Sequence, residues 1–152
     1  MSTKQLKLKI ITPEKLVLEE NVEQVSLPTT LGEITVLPDH IPLITGLASG
    51  DIVALVGGEY VPMAVVGGFV EIKPFEYAQG KQTEVTILAD FAEHIGEISE
   101  EKIEKAKARA EELRKQMENK EIVDYEHFAT ELERSLTRVK IADKWRTKKY
   151  RK

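Results

Sequence analysis

The distribution of glycine and proline divides the chain in two and constrains its fold more than any other feature. The 152 residues include nine glycines and six prolines, and none of them occurs from Ile98 to Arg146. Glycine and proline interrupt regular structure, so their presence throughout the first part indicates short elements joined by turns. Their absence from the second part permits long helices. The sequence therefore predicts an all-β region followed by a helical region.

The first region consists of short runs rich in β-branched residues, a spacing typical of a β-sandwich. Gly57-Gly58 lies between two runs and predicts a type I′ hairpin turn. Gly67-Gly68 predicts a bulge or a close backbone approach rather than a phosphate-binding loop, because neither a helix nor the loop's lysine follows. Strands are predicted at residues 6–11, 16–19, 22–27, 33–37, 41–46, 51–56, 59–66, 68–73 and 84–89.

The second region has helical periodicity. Ser99 is a predicted N-cap for a first helix whose apolar stripe consists of Ile103, Ala106, Ala110, Leu113 and Met117. This helix is predicted to end at Asn119-Lys120. Asp124 is predicted to cap a second helix, whose stripe consists of Phe128, Leu132, Leu136 and Val139. A short loop between the helices predicts an antiparallel hairpin, and its narrow, alanine-rich interface is expected to open more easily than a core.

These patterns predict an α+β chain in which strands precede helices. The expected architecture is an N-terminal antiparallel β-sandwich followed by a C-terminal two-helix antiparallel hairpin. A chain of this length has room for one domain with such an appendage. The predicted boundaries are residues 1–92 for the sandwich, 93–146 for the helical hairpin and 147–152 for a basic tail.

Charge is distributed unevenly along a chain whose formal net charge is −4. Residues 1–98 carry 14 acidic residues and 6 lysines, whereas residues 134–152 carry 9 basic residues and one acid, Asp143. This basic end has two interpretations: a solvated terminus, or a docking arm for an acidic protein or nucleic acid. Trp145 and Tyr150 in the arm keep a free-standing binding module as the alternative function. The β region, however, lacks the aromatic and basic face that single-strand binders use.

The residue inventory argues against an enzyme and against a metal site. The chain has no cysteine, so disulfides and thiolate ligands are excluded. His40, His94 and His127 lack metal-ligand spacing. Glu33, Asp39 and His40 could form a general-base cluster, but adjacent residues in a proline turn rarely face one substrate. No apolar run is long enough to cross a membrane and the N-terminus alternates like a strand, so a soluble, intracellular chain is expected.

Three motifs in a fixed order carry a family resemblance. The first is GEITVLPDHIPLITGLASG at residues 32–50, where a Gly-Glu strand leads into a turn with two prolines and a histidine. VVGGFVEI at residues 65–72 and TILAD at residues 86–90 follow it. Together with the helical region, these motifs resemble the epsilon subunit of the rotary F-type ATP synthase. The resemblance extends to about Ala142.

The resemblance implies a non-catalytic rotor subunit at the foot of the gamma stalk, in contact with the ring of c subunits. Glu33 matches the family position that meets the polar loop of subunit c, and His40 matches a position near gamma. It also implies a place on the cytoplasmic face of the bacterial plasma membrane. Contact with the membrane would be indirect, and no nucleic acid would be bound.

The resemblance further implies two arrangements of the helices. Folded against the sandwich, they permit turnover. Extended along gamma, they block ATP hydrolysis, because basic residues of the second helix meet an acidic segment of beta within the alpha–beta assembly. In this chain the inhibitory arm would contain Arg134, Arg138, Lys140, Lys144 and Arg146.

Some members of the resembled family bind ATP through an (Ile/Leu)-Asp-x-x-Arg-Ala motif at the base of the hairpin. The matching residues here include Ser99 and Lys102, so the carboxylate and the planar guanidinium are both missing. The remaining positions of a weak ATP site are matched by Glu93, Arg109, Arg134 and Arg138. Arg134 and Arg138 could clamp a triphosphate, but pairing with helical acids or docking on beta is the favoured interpretation. No cofactor is therefore expected.

Overall fold

Eight strands and then two α-helices follow one another in the part of the chain that the structure describes. The computed structural model describes residues 4–78, 81–118 and 125–151. The strands are β1 (Leu6–Ile11), β2 (Leu16–Val22), β3 (Gln24–Thr29), β4 (Gly32–Val36), β5 (Leu43–Gly46), β6 (Gly50–Val56), β7 (Glu59–Lys73) and β8 (Glu84–His94). A 3-10 turn, Ile95–Glu97, leads into α1 (Glu100–Glu118) and α2 (Tyr125–Trp145).

The strands form one continuous hydrogen-bonded sheet that folds into a sandwich. Its order is β2-β1-β8-β7-β6-β3-β4, and β5 pairs with β7. Residues 59–65 of β7 pair with β6, whereas residues 69–72 pair with β5. The predicted fold class, a β-sandwich followed by two helices, is confirmed. One pair, β1 and β8, is parallel within an otherwise antiparallel sheet, which the alternation of single strands cannot reveal.

Alternation within the strands builds the main core. Leu6, Leu8 and Ile10 of β1 are completely buried, whereas the intervening Lys7 and Lys9 are partly exposed. Because successive side chains point to opposite faces of a strand, one face of β1 enters the core. The burial of each such Leu or Ile contributes about 1.5–3 kcal/mol.

Two glycine pairs determine the path of β7. Gly57-Gly58 has φ values of 57° and 79° and forms the predicted turn between β6 and β7. Gly67 and Asp90 drop out of the pairing between β7 and β8, and the inward-facing positions shift by one on both strands beyond them. A Cβ atom on Gly68 would lie 2.0 Å from the carbonyl oxygen of Leu88. The irregularity and the close backbone approach agree with the prediction for this glycine pair.

Several predicted strand bounds are wrong, most of them because β7 and β8 are long. The runs at 59–66 and 68–73 form one strand, since the irregularity at Gly67 shifts the alternation without ending the strand. β8 continues past 89 to His94, so the boundary placed between residues 92 and 93 falls inside a strand. The strand predicted from residue 41 begins at Leu43.

α1 agrees with its prediction. The backbone N–H of Lys102 donates to the hydroxyl oxygen of Ser99 at 3.2 Å, which confirms the N-cap. The predicted stripe is buried at Ile103, Ala106, Ala110 and Leu113. The helix end predicted at Asn119-Lys120 and the cap predicted at Asp124 lie outside the described residues.

The predicted stripe of α2 is wrong at Leu136, whereas Phe128, Leu132 and Val139 are half-buried as a stripe requires. Leu136 is 43% exposed, and the buried residues are instead Ser135, Thr137, Ile141, Ala142 and Trp145. The helix contacts α1 on one side and β6 and β7 on the other, so its buried surface is wider than one stripe. Ion pairs from Arg109 to Glu131 and from Arg146 to Glu100 show that the two helices are antiparallel.

A second apolar cluster fastens the helices to the outer face of the sandwich. Its members are Ala64, Ile95, Ile98, Ile103, Ile141, Ala142 and Trp145. Because of this cover, residues 61–66 of β7 are buried on both faces of the sheet. From Phe69 onward the outer face of β7 is uncovered.

Candidate functional site

Glu33, the first predicted contact residue, lies at the exposed end of a hairpin. It follows Gly32 at the start of β4, where the hydroxyl of Thr29 donates to the Gly32 carbonyl oxygen at 2.5 Å. Leu31, at the tip, is 93% exposed. An exposed apolar side chain beside an exposed carboxylate is suited to a contact with another molecule, whereas small-molecule sites are concave.

His40, the second predicted contact residue, lies in the turn between β4 and β5. Its Nδ1 donates to the carbonyl oxygen of Ile41 at 2.7 Å, so this nitrogen carries a proton. The side chain of Ile41 is exposed. Asp39 has a left-handed φ of 68°, and its carboxylate pairs with Lys4. Asp39 and His40 thus have different partners, and neither is aligned by the other as a general base would be.

A row of exposed apolar side chains crosses the uncovered half of the outer sandwich face. Phe69 of β7 stands directly opposite Leu88 of β8, so their side chains lie on the same face. Ile44 of β5 pairs with Glu71, two residues from Phe69, and points to that face as well. Ile44, Phe69 and Leu88 are 73%, 64% and 54% exposed. We refer to these three residues as the bare face.

The sequence alone did not reveal the bare face, because exposed and buried apolar residues look alike in it. A signal was present in the Gly67-Gly68 pair. It shifts the alternation by one position, so Phe69 faces outward where the pattern of residues 61–65 would have continued inward.

Glu93 of β8 connects both helices to the sandwich. Its carboxylate oxygens lie 2.9 Å from Nζ of Lys102 in α1 and 2.7 Å from Nε of Arg138 in α2. Burial raises the pKa of the Glu93 carboxyl, but the hydrogen bonds and positive charges of Lys102 and Arg138 together lower it by more, so the pKa lies below its ordinary value. The carboxylate therefore stays ionised at neutral pH and holds a three-way charged junction.

The residues matched to a weak ATP site come together around one pocket of about 410 Å³, lined in part by Glu93, Arg109, Arg134 and Arg138. Arg109 binds both carboxylate oxygens of Glu131, at 2.7 and 3.1 Å. The guanidinium groups of Arg134 and Arg138 lie 5.6 and 4.7 Å from the centre of the Phe91 ring. Among the described residues, one buried side-chain atom here, Nε of Arg134, has no hydrogen-bond partner. Arg109 and Arg138 thus pair with carboxylates of the same chain, whereas Arg134 contacts the Phe91 ring and the Asp90 carbonyl oxygen, the latter at 3.4 Å.

The predicted inhibitory arm lies against the rest of the chain. Beyond Arg134 and Arg138, Lys144 donates to Asp51 at 3.0 Å, and Arg146 lies 3.6 Å from Glu100. Lys140 is exposed. Three of the five basic side chains of this arm, Arg138, Lys144 and Arg146, thus pair with acidic groups of the same chain.

The predicted basic tail, which the structure describes up to Arg151, is attached to the sandwich through this residue. The guanidinium of Arg151 makes two hydrogen bonds of 2.6 Å to Glu20 of β2. Trp145, at the end of α2, is 5% exposed and donates its indole N–H to Asp51. A buried indole cannot stack on nucleobases, so this arrangement does not favour the nucleic-acid alternative.

Comparison with known families identifies the sandwich. Residues 5–95 match the family described as the ATP synthase, Delta/Epsilon chain, beta-sandwich domain. The chain belongs to this family. The ATP synthase epsilon chain of Nitratidesulfovibrio vulgaris (strain DP4) is 38% identical over 138 residues, which cover 91% of this chain and 96% of that relative. The epsilon chain of Syntrophobacter fumaroxidans is 37% identical over 140 residues, or 92% and 97% of the two chains.

Solved structures agree with the family. A chain of the Euglena gracilis mitochondrial ATP synthase, in the OSCP/F1/c-ring assembly, aligns with a TM-score of 0.63 and 25% identity, over 92% of this chain and 80% of that one. A chain from the central stalk and c-ring of the Tetrahymena thermophila mitochondrial enzyme aligns with a TM-score of 0.53. Its 15% identity, over 96% of this chain and 100% of that one, shows the fold alone.

The resemblance to the epsilon subunit is therefore confirmed. Like its relatives, this chain of the epsilon family is a non-catalytic subunit of the ATP synthase complex rather than an enzyme on its own. Across residues 4–78, 81–118 and 125–151 there is no group of three side chains that could hold a metal ion. None of the helices described in this structure is long and apolar enough to cross a membrane.

Proposed function

We propose that this epsilon-family chain is a central-stalk rotor subunit that couples the gamma subunit to the c-ring of a proton-translocating ATP synthase. Its relatives are epsilon chains, and the Euglena gracilis neighbour comes from an assembly of F1 with the c-ring. The observation that carries the proposal is the bare face. It is an apolar surface on a rigid sheet that the chain's own helices leave uncovered.

The bare face is the docking surface for gamma. Phe69, Leu88 and Ile44 are large apolar side chains held by paired strands, so binding orders little that is not already ordered. Aromatic side chains are enriched in interface centres, and Phe69 lies between the other two strands. Residues on neighbouring strands thereby present one continuous patch to a helical partner.

Pull-down with separately purified gamma and c-ring tests this docking. Phe69→Ser combined with Leu88→Ser should weaken capture by gamma at least about tenfold, since central interface residues often contribute more than 1 kcal/mol each. Tyr77→Ser is the matched control, because it removes an aromatic ring that is 70% exposed outside the bare face. Equal binding by both variants would remove the bare face from the proposal. Failure of the unchanged chain to bind gamma would end it.

In this proposal Glu33 contacts the c-ring, and His40 lies at the interface with gamma. Both are at turns on the surface, where substitutions usually change stability by less than about 0.5 kcal/mol. Glu33→Gln with His40→Ala should keep the melting temperature and lower ATP-driven proton pumping by the assembled enzyme. A large fall in melting temperature would assign the two residues a structural role instead.

The helical hairpin regulates ATP hydrolysis in this proposal. Its inhibitory form requires α2 to leave the sandwich, because Arg138 and Lys144 are bound to Glu93 and Asp51 in the docked form. Once released, the five basic residues of the arm can meet an acidic segment of beta. Moving the arm from mostly docked to mostly released needs about 5.5 kcal/mol of differential binding.

Truncation after Glu133 tests the inhibitory arm. The truncated chain should still assemble, and hydrolysis by the complex should rise. High salt should have a weaker effect in the same direction, since exposed contacts with beta would be screened over about 10 Å at 0.1 M, whereas the docked pairs to the largely buried Glu93 and Asp51 are screened less. Unchanged hydrolysis in an assembled, truncated complex would contradict regulation and leave the coupling role intact.

As part of F1, the chain would lie on the cytoplasmic face of the bacterial plasma membrane.

A further inference from the structure

Lys144, Trp145 and Arg151 bind three strands of the sandwich, β6, β7 and β2. Asp51 of β6 is 8% exposed and receives hydrogen bonds from the indole N–H of Trp145 at 2.8 Å and from Lys144 at 3.0 Å. A buried carboxylate is costly unless it is paired, and here both oxygens have donors. The end of α2 is thus attached to a position on the sandwich prepared for it.

A second attachment lies beyond the helix. The backbone N–H of Arg151 donates to the carbonyl oxygen of Tyr60 in β7 at 2.8 Å, while its guanidinium grips Glu20 of β2 with two bonds. The hydrogen bond from Arg151 lowers the pKa of Glu20 below its ordinary value, against the opposing effect of burial. Two-point Arg–carboxylate pairs combine strength with a fixed geometry.

Aromatic rings fill the space between these two attachments. The ring of Trp145 lies 6.1 Å from that of Tyr60 and 6.2 Å from that of Tyr150, and Lys148 lies 5.2 Å above the indole. The chain turns back after the helix, because Lys148 N–H donates to the Trp145 carbonyl oxygen. The segment therefore crosses the sandwich as an ordered strap.

We propose that residues 144–151 form a latch that keeps the helical hairpin docked on the sandwich, and that their release is the first step of hairpin detachment. The α1–α2 pair between Arg109 and Glu131 survives detachment, because it lies within the hairpin. Docking depends instead on the small second apolar cluster, the Glu93 junction, the hydrogen bond from Ser49 to Glu133 and the latch. Of these, the latch lies beyond the Glu93 junction along α2, and its ion pair with α1, from Arg146 to Glu100 at 3.6 Å, joins two exposed side chains.

The isolated full chain tests the latch without any partner. Arg151→Ala should accelerate amide exchange in the last turns of α2 by about tenfold, the usual scale for a lost hydrogen bond to a charged group. It should also shift Trp145 emission to the red. Lys149→Ala is the matched control, since it removes the same charge two residues away from an exposed side chain. Exchange and emission that are equal in the two variants would overturn the latch.

A charge swap provides rescue. Glu20→Arg with Arg151→Glu should restore slow exchange relative to either single substitution, whereas additive effects would show that the two side chains do not act as a pair. This measurement separates the latch from general destabilisation, because a second destabilising substitution would accelerate exchange further.

The assembled enzyme gives a result of opposite sign, which rests on the proposed inhibitory arm. Truncation after Lys149 removes the grip on Glu20 but keeps all five arm residues, so the arm should be released more readily and hydrolysis should fall. Truncation after Glu133 should raise it. A rise in hydrolysis after truncation at Lys149 would overturn the latch. If neither truncation changed hydrolysis while Arg151→Ala still accelerated exchange in the isolated chain, the inhibitory arm would fail and the latch would stand.

Discussion

The two halves of β7 differ in what covers their outer face. Residues 61–66 are buried on both sides, whereas beyond Gly67 the outer residues are open to solvent. The covered half carries Ala64, a small residue that allows α2 to approach closely. The open half carries Phe69, which is 64% exposed. One strand thus supports an internal interface and, in our proposal, an external one.

This difference teaches how the chain divides its surface. The helical hairpin covers the outer face of the sandwich where the side chains are small. The second apolar cluster fills the interface between the hairpin and this face. The opposite end is left with large apolar groups that would reduce solubility unless another subunit covered them. The joint between the two regions is the glycine pair at residues 67 and 68, so the same irregularity separates the fold-forming surface from the partner-binding surface.

The largest expected effect comes from breaking that joint. Gly68→Ala would place a Cβ atom 2.0 Å from a backbone oxygen at a φ of 112°, and backbone cannot move aside cheaply. We expect a loss of at least about 4 kcal/mol in the free energy of unfolding, measured by urea denaturation. Gly32→Ala has a similar φ of 122° with no atom within 4 Å, so it should cost only about 1–3 kcal/mol. Equal losses would show that conformational strain, not the close approach, dominates.

The next effect distinguishes covered from open surface. Ile141→Ala removes a side chain that is 2% exposed against the covered half, and we expect a loss of about 2–5 kcal/mol. Leu136→Ala, on the same helix but 43% exposed, should cost less than about 1 kcal/mol. Amide exchange should accelerate in residues 61–66 of β7 for the first variant, while residues 69–72 stay protected. Uniform acceleration along β7 would mean that its halves unfold as one unit.

Much of this division was readable from the sequence, because turns and single elements are encoded locally. Gly57-Gly58 predicted its turn since the required φ values suit glycine. Ser99 and the α1 stripe predicted that helix, because α1 makes its main contact with one partner, α2. Motif order then pointed to the epsilon family, and the comparisons confirmed it.

What escaped prediction depends on contacts between distant segments. β7 was divided in two at Gly67 because a glycine inside a strand pattern can mark either a turn or a bulge, and only its pairing with β8 shows that the strand continues. The stripe of α2 was misplaced at Leu136, since this helix packs on two partners at once. Arg151 was assigned only to a basic tail, with no partner inside the chain, because its partner Glu20 lies on a distant strand. Phe69 was not singled out, because the identity of a residue does not determine whether its side chain is exposed.

A smaller effect is expected for ATP binding at the pairs that hold the hairpin on the covered half of β7. We expect this chain to bind ATP weakly or not at all, because Glu93 and Arg109 are already paired and the motif lacks its carboxylate and guanidinium. Calorimetry with millimolar ATP should show no saturable heat. Ser99→Asp with Lys102→Arg restores two motif residues and should strengthen binding by about tenfold or more. Micromolar affinity in the unchanged chain would show that a ligand, rather than the protein's own pairs, secures the hairpin.

The smallest expected effect is a pH dependence confined to the covered half. His94 ends β8 opposite Met63, and its Nδ1 accepts a hydrogen bond from the Gly96 N–H at 2.9 Å. Burial lowers the pKa of His94 below 6.5, Glu97 opposes this shift and the charge of Arg151 adds to it. Well above pH 6.5 the folded and unfolded chains are both neutral at this residue, so it contributes no slope there.

Below pH 6.5 the unfolded chain binds a proton that the folded imidazole resists, so stability should fall as the pH decreases toward the folded pKa. The lowered pKa of Glu93 acts only near and below pH 4.5, so the two effects separate between pH 5 and 7. His94→Asn keeps a capping oxygen for Gly96 and removes the titration. Urea unfolding should therefore show a slope in this window for the unchanged chain and a flatter one for the variant. Identical slopes would place the titrating group elsewhere in the chain.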